Sequence, residues 1–487
     1  MSALPVLEPK YTQTERFSKM QLELPTLVSS AKPEFTAEEL ENSFPLDQGR
    51  RFSAQKGIEL VDSVASGMDR DRPRKRARRP EDERRSRASV EALLANVVAA
   101  HLNVVDPDRF VAVSLSRDHY NGSELSFKGM QDCCGYMRKM GLIEYVPGFR
   151  RPDQFGDEYF GRRTRIRAAP KLRQTIDMAD LGRRALSRPT DQLIRLKGRH
   201  DGVGEPPENI EASRAVIEAV NRRLAATDIG VPTHVIAALK AEQIDDQGED
   251  TEERARQRRY AGDLTARSLY RSFKGDWQSG GRFYGGWWMS FARELRPSIT
   301  LDGEEVVELD YTTLHPTLLY ARAGLSLNHD PYVVYPWQGK PMRDLGKRTF
   351  NRLLNHRQVD PIKRLRIRAA PGDLAVMPKG VSFADYRDRL IEGCRGIEHW
   401  FGTGEGTHLQ YEDSELALSV LAAMEAKGIP VLPIHDSFIV PVCHEEELNF
   451  AMMDAFLTRY GDIISVDRKG YRRAASPGEA RDHDWVA

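Results

Sequence analysis

The sequence has few cysteines, no long hydrophobic run and no net charge. Its 487 residues include 4 cysteines, and the adjacent pair Cys133 and Cys134 fits no zinc-ligand spacing. We therefore expect reduced thiols in an intracellular, cytoplasmic protein. No apolar run reaches the ~18 residues of a membrane span and the first residues show no signal-peptide pattern, so we expect no membrane partner. With 72 basic and 72 acidic residues, any polyanion must be bound by local clusters of charge.

The length allows about three domains, and composition changes along the chain suggest where they begin. Residues 1–87 mix Pro, Ser, Glu and Lys without sustained periodicity and end in an arginine-rich run at 70–87. We predict a disordered basic tail here. The alternatives for the arginine-rich run are a loose DNA contact or a localisation signal, against a solvated linker. Residues 173–269 look polar and helical, which favours a helical connector.

A helix–helix–hairpin pattern fills residues 88–172. Apolar residues recur at helical spacing in 89–102 behind a serine, and Ser126 opens a second amphipathic helix that stops at Gly141. A basic hairpin over 149–167 is predicted next. This order resembles a winged-helix domain, which implies contact with DNA phosphates. Because many winged helices bind protein instead, that alternative stays open.

Two β-rich apolar runs in the last domain, residues 270–487, each carry an aspartate. Asp310 ends the run that begins at Val306, and Asp436 interrupts the run 431–441. Two carboxylates on core strands repel each other unless a divalent cation lies between them. The pattern predicts a site for two Mg²⁺ ions, with Mn²⁺ as an alternative, held by Asp310 and Asp436.

Basic and aromatic residues accompany these aspartates. On a helix, Arg343, Lys347, Asn351 and Asn355 share one face, which suits the phosphates of a triphosphate, although a solvated basic face would look the same. The glycine-rich segment 276–288 contains an arginine and several aromatics. Such a segment lets backbone approach a ligand, although an aromatic cluster of this kind is more often core.

In order and spacing, these motifs resemble motifs A, B and C of the single-subunit polymerase superfamily, which joins family A DNA polymerases with phage-type and mitochondrial RNA polymerases. Asp310-Tyr311 is similar to motif A, Arg343-x-x-x-Lys347 to motif B, and His435-Asp436 to the RNA polymerase form of motif C. The resemblance covers about residues 270–465.

The resemblance implies an α+β multidomain protein with a polymerase palm, which is an antiparallel sheet with helices, and short helical fingers. It implies a template-directed nucleotidyltransferase whose partners are a DNA template or primer-template and nucleoside triphosphates, at a nucleoid-associated or other intracellular site. The residues it implies for catalysis are Asp310, Asp436, Lys347 and Arg343. Those it implies for nucleotide or nucleic-acid binding are Arg282, Tyr284, Tyr311, His315, Asn351, Asn355, His408, Gln410 and His435.

Two departures from the family pattern leave the sugar preference open. Asn355-His356 stands where the family usually has Tyr-Gly, and His315 stands where DNA polymerases carry a glutamate. An RNA polymerase or primase-like enzyme and a family A-like DNA polymerase are therefore both expected possibilities. A winged-helix DNA-binding regulator with an inactive palm is the alternative of another class. Primer need, promoter or origin specificity and oligomeric state stay open.

Overall fold

The computed structural model describes most of the chain as a mixed α/β protein. The described residues are 35–74, 76–121, 123–152, 159–188, 193–198, 204–237, 263–335, 339–358, 367–370 and 372–469. Within these ranges, no helix combines the length and the apolarity that a membrane crossing requires. The chain divides into two compact units, residues 1–41 and residues 42–487.

In the first unit the structure describes a short helix, α1 (Ala37–Glu41). The Thr36 hydroxyl accepts a hydrogen bond from the Glu39 backbone N–H at 3.1 Å, and the Glu39 carboxylate accepts one from the Thr36 N–H at 2.7 Å. This reciprocal capping satisfies backbone donors that the first turn leaves free.

The second unit begins with an N-terminal lobe, residues 42–187, built on a four-stranded sheet. Its elements are β1 (Ser43–Pro45), β2 (Arg51–Phe52), α2 (Gln55–Asp71), α3 (Pro80–His101), β3 (Phe110–Val113), α4 (Phe127–Lys139), β4 (Ile143–Val146), β5 (Phe149–Pro152), β6 (Tyr159–Arg162), β7 (Thr164–Ala168), α5 (Pro170–Met178) and β8 (Leu186–Ser187). The sheet order is β1-β3-β7-β4, and two strand pairs, β2 with β8 and β5 with β6, stand beside it. Its core is centred on α3, whose residues from Ala92 to Ala100 are all buried.

The predicted disorder of residues 1–87 is wrong for the part of that segment in this lobe. Helix α2 spans 17 residues and buries Val61 and Val64, and Phe44 on β1 is 2% exposed. The apolar side chains of α2 recur at helical spacing and cover α3, so burial rather than charge decides the state of this segment. Residues 1–34 lie outside the described residues.

The predicted second helix and hairpin are both present in the lobe. Ser126 caps α4, with its hydroxyl accepting from the Gly129 N–H at 2.7 Å, and Gly141 ends the turn with a φ of +64°. Strands β5 and β6 pair in antiparallel register, Phe149 opposite Arg162. The second arm of the hairpin is therefore β6, whereas β7 returns to the sheet. Residues 153–158, between β5 and β6, lie outside the described residues.

The rest of the unit, residues 193–469, contains two sheets. Its elements are β9 (Ile194–Lys197), α6 (Ile210–Ala226), β10 (Ile229–Gly230), β11 (Arg267–Lys274), β12 (Asp276–Gly286), β13 (Thr300–Leu301), β14 (Glu304–Tyr311), α7 (Leu314–Arg322), α8 (Lys340–Asn355), α9 (Phe383–Gly393), α10 (Gly406–Ala426), β15 (Leu432–Ile434), β16 (Ser437–Pro441), α11 (Glu445–Tyr460) and β17 (Val466–Arg468). The central sheet has the order β10-β13-β14-β16-β15 with β17 also paired to β14, and the second sheet has the order β12-β11-β9.

The segment predicted as a helical connector, 173–269, is helical only in part. It supplies α6, but β9 pairs in parallel with β11 and β10 pairs with β13. The segment is therefore built into both sheets. Between α8 and α9 a small separate core forms from Tyr335, Met342, Leu345 and Tyr386.

One glycine of α8 permits a close approach that a side chain would block. A Cβ at Gly346 would lie 1.9 Å from the carbonyl oxygen of Tyr332, whereas a Cβ at Gly135 in α4 would meet nothing within 4 Å. We expect Gly346→Ala to lower the free energy of unfolding, because the clash outweighs the gain in helix propensity. The control Gly135→Ala should raise it by about 0.5–1 kcal/mol. Urea unfolding of both variants measures this, and equal stabilisation by both would contradict the contact.

Candidate functional site

The two predicted carboxylates lie side by side at one end of the central sheet. Strands β14 and β16 are antiparallel with Asp310 opposite Ser437, and the Tyr311 N–H donates to the Asp436 carbonyl at 3.5 Å. Asp436 occupies the two-residue turn between β15 and β16. The prediction that one aspartate ends a strand and the other interrupts a β-rich run is confirmed.

Both carboxylates are flanked by strained backbone. His435 has a φ of +58° and Thr313, just after β14, has a φ of +51°. A left-handed conformation costs a non-glycine residue roughly 1–2 kcal/mol, and such strain concentrates at functional sites. At Thr313 the chain turns from β14 into α7, which brings His315 back toward the carboxylates.

Asp310 is mostly buried and has one oxygen without a partner. Its Oδ2 lies 3.2 Å from Lys469 Nζ, while its buried Oδ1 has no hydrogen-bond partner among the described residues. Burial, followed by the negative charge of Asp436, raises the pKa of Asp310 to about 6. A buried carboxylate oxygen that accepts no hydrogen bond normally needs a cation or a hydrogen-bond donor beside it.

Asp436 is held in its ionised form by neighbouring cations. Burial alone would raise its pKa, but Arg282, His315 and Lys469 outweigh burial and hold the pKa below its ordinary value. The two carboxylates thus have pKa values shifted in opposite directions, as expected when like charges share one site.

Asp413 is a buried residue of this site that the sequence motifs did not identify. It lies on α10 with its side chain fully buried. Arg282 Nε donates to both of its oxygens, at 3.1 and 3.0 Å, and His315 Nε2 lies 3.0 Å from Oδ2. The pairing fixes Arg282 and His315 beside Asp436. Asp413 lies on the same face of α10 as the buried Leu409 and Leu416. A carboxylate in such an apolar stripe needs a partner, so this position was the signal that the sequence offered.

Glu308 and Lys469 form a second unpredicted group beneath Asp310. Glu308 is 4% exposed and accepts from the Ser437 hydroxyl at 2.7 Å and from Lys469 Nζ at 2.9 Å. Glu308 lies two positions before Asp310 on β14, so both side chains share one face of the strand. That spacing was visible in the sequence, but the lysine follows β17 and its approach was not.

Helix α8 forms as predicted, with its polar stripe intact. Arg343 is engaged by Asp330 and lies over the Tyr332 ring at 5.3 Å. Lys347 is exposed. Burial raises the pKa of Tyr332, which is also close enough to Asp436 to respond to its charge. The start of α8 therefore lies toward the carboxylates.

The far end of the α8 stripe contacts α10. The Asn355 side-chain amide donates to the Asn351 carbonyl at 2.7 Å, and a Cβ at Gly406 would lie 2.1 Å from Asn355 Oδ1. Asn355 thus lies at the α8–α10 junction. His408 and Gln410, on the first turns of α10, are half-buried.

Three further predicted residues occupy different environments. The Tyr284 ring lies 6.0 Å from the His435 ring, so both line the approach to Asp436. Tyr311 instead is 4% exposed, and its hydroxyl donates to the Met452 carbonyl at 2.7 Å. This geometry makes Tyr311 a core residue, so we remove it from the candidate nucleotide contacts.

The residues present fit a divalent cation. Mg²⁺ is usually held in proteins by one or two carboxylates, with water and substrate phosphates completing its shell, and Asp310 and Asp436 supply such a pair. Within the described part of the chain, no group of three or more His, Cys, Asp or Glu side chains is placed to hold a metal. The protein would thus contribute two carboxylates and leave the other positions to water and substrate.

Without divalent ions, the raised pKa of Asp310 should make stability depend on pH. A carboxyl whose folded-state pKa is raised to about 6 stabilises the fold fully below its unfolded pKa, near 4, and loses that contribution as pH rises through 6. Asp310→Asn removes the titration, so the variant should gain about 1–3 kcal/mol over the parent between pH 4 and pH 7.

Urea unfolding in EDTA across that range measures the difference. The matched control is Asp454→Asn, which changes an exposed carboxylate on α11 and should give a constant offset. Parallel pH curves for the Asp310 variant and the parent would contradict the assignment.

Comparisons with protein families, with curated proteins and with solved structures find no match. The function assigned to these residues therefore rests on their geometry and on the likeness of the sequence to the polymerase motifs.

Proposed function

We propose that the protein is a template-directed nucleotidyltransferase, a nucleic-acid polymerase of reduced size that uses two Mg²⁺ ions. One observation carries the proposal. Asp310 and Asp436 meet at the end of β14 and the β15–β16 turn, and the cationic stripe of α8 lies between them in the chain. Phosphoryl transfer needs this pairing of metal-binding carboxylates with phosphate-binding cations.

The metal ions, when bound by Asp310 and Asp436, would activate a 3′-hydroxyl and neutralise the triphosphate. Lys347 is an exposed cation of α8, and we assign it to the phosphates. Arg343 can join it by exchanging Asp330 for a phosphate. Asp413 keeps Arg282 in place, and Arg282 keeps Asp436 ionised, so the carboxylate is ready to bind a cation at neutral pH.

The lobe ahead of this site would bind DNA as a winged helix. Helix α4 would lie against the duplex and the β5–β6 hairpin beside it. Arg150, Arg151 and Arg163, in and beside the hairpin, are exposed. Cations on a protruding hairpin contact phosphates without reading the base sequence. The alternative, a protein partner for this surface, is an outcome of the binding test below.

The choice between ribonucleotides and deoxyribonucleotides concerns two residues, His315 and Asn355. His315 stands where DNA polymerases carry a glutamate, but its ring nitrogen lies 3.0 Å from the Asp413 carboxylate, and Asn355 lies at the α8–α10 junction. We therefore propose no sugar preference from these residues. RNA synthesis and DNA synthesis are distinguished by extension assays with ribonucleotides and deoxyribonucleotides on primed and unprimed templates.

Asp310→Asn and Asp436→Asn should each lower nucleotide addition by more than ~10³-fold, because each removes a metal ligand where charge develops in the transition state. The measurement is extension of a labelled primer in Mg²⁺. The exposed-carboxylate variant Asp454→Asn is the matched control and should extend normally. DNA affinity should stay within about twofold for all three variants.

Full extension by either site variant would overturn the proposed function. Absence of extension by the unmodified protein, with DNA affinity intact, would favour the regulator with an inactive palm.

Replacing Arg150, Arg151 and Arg163 together with glutamine should weaken binding to duplex DNA. Each lost phosphate contact removes about 0.9 from the slope of log K against log salt, so the slope should become shallower by about 2–3. Fluorescence anisotropy at several salt concentrations measures it.

The control replaces three exposed cations away from the hairpin, Lys379, Arg395 and Lys427, with glutamine. It removes the same charge and should leave the slope nearly unchanged. Equal slopes for the hairpin variant and the control would indicate that the hairpin faces a protein.

A further inference from the structure

A cavity of about 350 Å³ lies between the N-terminal lobe and the start of the second sheet. Its walls come from β8, Arg188, Leu193, α6 and the first residues of β11. None of its lining residues belongs to the carboxylate site. Small-molecule sites commonly begin at about this volume and lie where two parts of a protein meet.

The charged side chains that line the cavity are mostly positive. Four arginines, Arg184, Arg188, Arg222 and Arg267, line the cavity against a single acid, Glu218. Arg222 and Arg184 are exposed at the rim, whereas the Arg188 side chain is 8% exposed and Arg267 is 7% exposed. Arg188 is already paired with Asp47, whereas Arg267 donates to backbone carbonyls, and a buried guanidinium group is costly unless an anion compensates it.

Both buried arginines retain donors that the described residues do not use. Arg188 Nη2 donates to Asp47 at 2.6 Å, and Arg267 Nη2 donates to the Leu224 carbonyl at 2.6 Å. Arg188 Nη1 and Arg267 Nε are buried and have no hydrogen-bond partner in the part of the chain that the structure describes. Leaving a buried donor unpaired costs about 1–3 kcal/mol, and more when the group is charged.

Neighbouring arginines make the electrostatic potential around the cavity more positive. The guanidinium groups of Arg188 and Arg195 both lie over the Tyr270 ring, at 4.5 and 4.4 Å from its centre. Burial, together with repulsion from Arg184 and Arg183, lowers the pKa of Arg267 to about 10. An anion among these groups would relieve repulsion that the protein otherwise keeps.

We propose that this cavity is a binding site for a phosphorylated anion, separate from the carboxylate site. Guanidinium groups match phosphate oxygens with paired donors, and the volume admits an oligophosphate group. The phosphate could come from a free nucleotide or from the end of a nucleic-acid strand. The proposal does not depend on the proposed nucleotidyl transfer.

The test uses the full chain in EDTA and isothermal titration with inorganic tripolyphosphate. Arg222→Gln should weaken binding about tenfold, because a charge-assisted hydrogen bond is lost. Glu218→Gln should tighten binding about fivefold, because the one acid of the lining is removed. Both positions are on α6 away from its buried face, so both variants should fold.

Two controls place the bound anion. Arg214→Gln removes a positive charge from the same helix outside the cavity and should leave affinity unchanged. Lys347→Gln, titrated in parallel, reports any phosphate that binds on α8 instead. Loss of binding in the Lys347 variant with normal binding in the Arg222 variant would place the phosphate on α8 and overturn the proposal.

Titration with ATP and with 5′-phosphorylated and 5′-hydroxyl oligodeoxynucleotides identifies the source. Dependence on Arg222 with ATP supports a free nucleotide, and the same dependence only with the 5′-phosphorylated strand supports a strand end. Equal affinity of the parent, the Arg222 variant and the Glu218 variant for every probe would overturn the proposal, as would no binding below millimolar concentration.

Discussion

Repulsion between Asp310 and Asp436 is the constraint around which the site is arranged. The antiparallel pairing of β14 with β16 brings the two carboxylates together, and burial makes their charges more costly. Cations from three separate elements offset this cost: Arg282 on β12, His315 on α7 and Lys469 after β17. Asp413 and Glu308 in turn fix those cations. Each carboxylate thus depends on residues distant in sequence.

The sequence predicted the elements of the site better than its contacts. Strand ends at Asp310 and Asp436 and the helix carrying Lys347 follow from local patterns of apolar residues and caps. Lys469 enters the site through tertiary packing, which no local pattern specifies, whereas the position of Asp413 in the buried stripe of α10 was visible in the sequence. Tyr311 shows the opposite error, because the resemblance to the polymerase motifs implied a ligand contact, whereas the alternation of the strand sends its ring into the core.

In the N-terminal lobe, the prediction of disorder fails at α2, whose glycines and charged residues do not look typical of a helix. Helix α2 contains Gly57 and Gly67, which lower its propensity, yet both are needed. A Cβ at Gly67 would lie 2.0 Å from the Tyr136 hydroxyl, and one at Gly57 would lie 2.3 Å from the Phe52 ring. Close packing on those aromatics stabilises α2, and such tertiary contacts are not visible in the local composition that predicts disorder. Ser126 and α4 were predicted correctly because the cap and the amphipathic pattern agree there.

The position of Lys469 has a consequence for synthesis on the ribosome. Its partner Glu308 lies 161 positions earlier in the chain, and β17, just before Lys469, pairs with β14. Domains form in order as the chain emerges, so the N-terminal lobe can fold while β14 still lacks two of its neighbours. Until residue 469 has left the exit tunnel, Asp310 and Glu308 lack their lysine. A nascent chain therefore contains every residue of the N-terminal lobe before it contains every residue of the site.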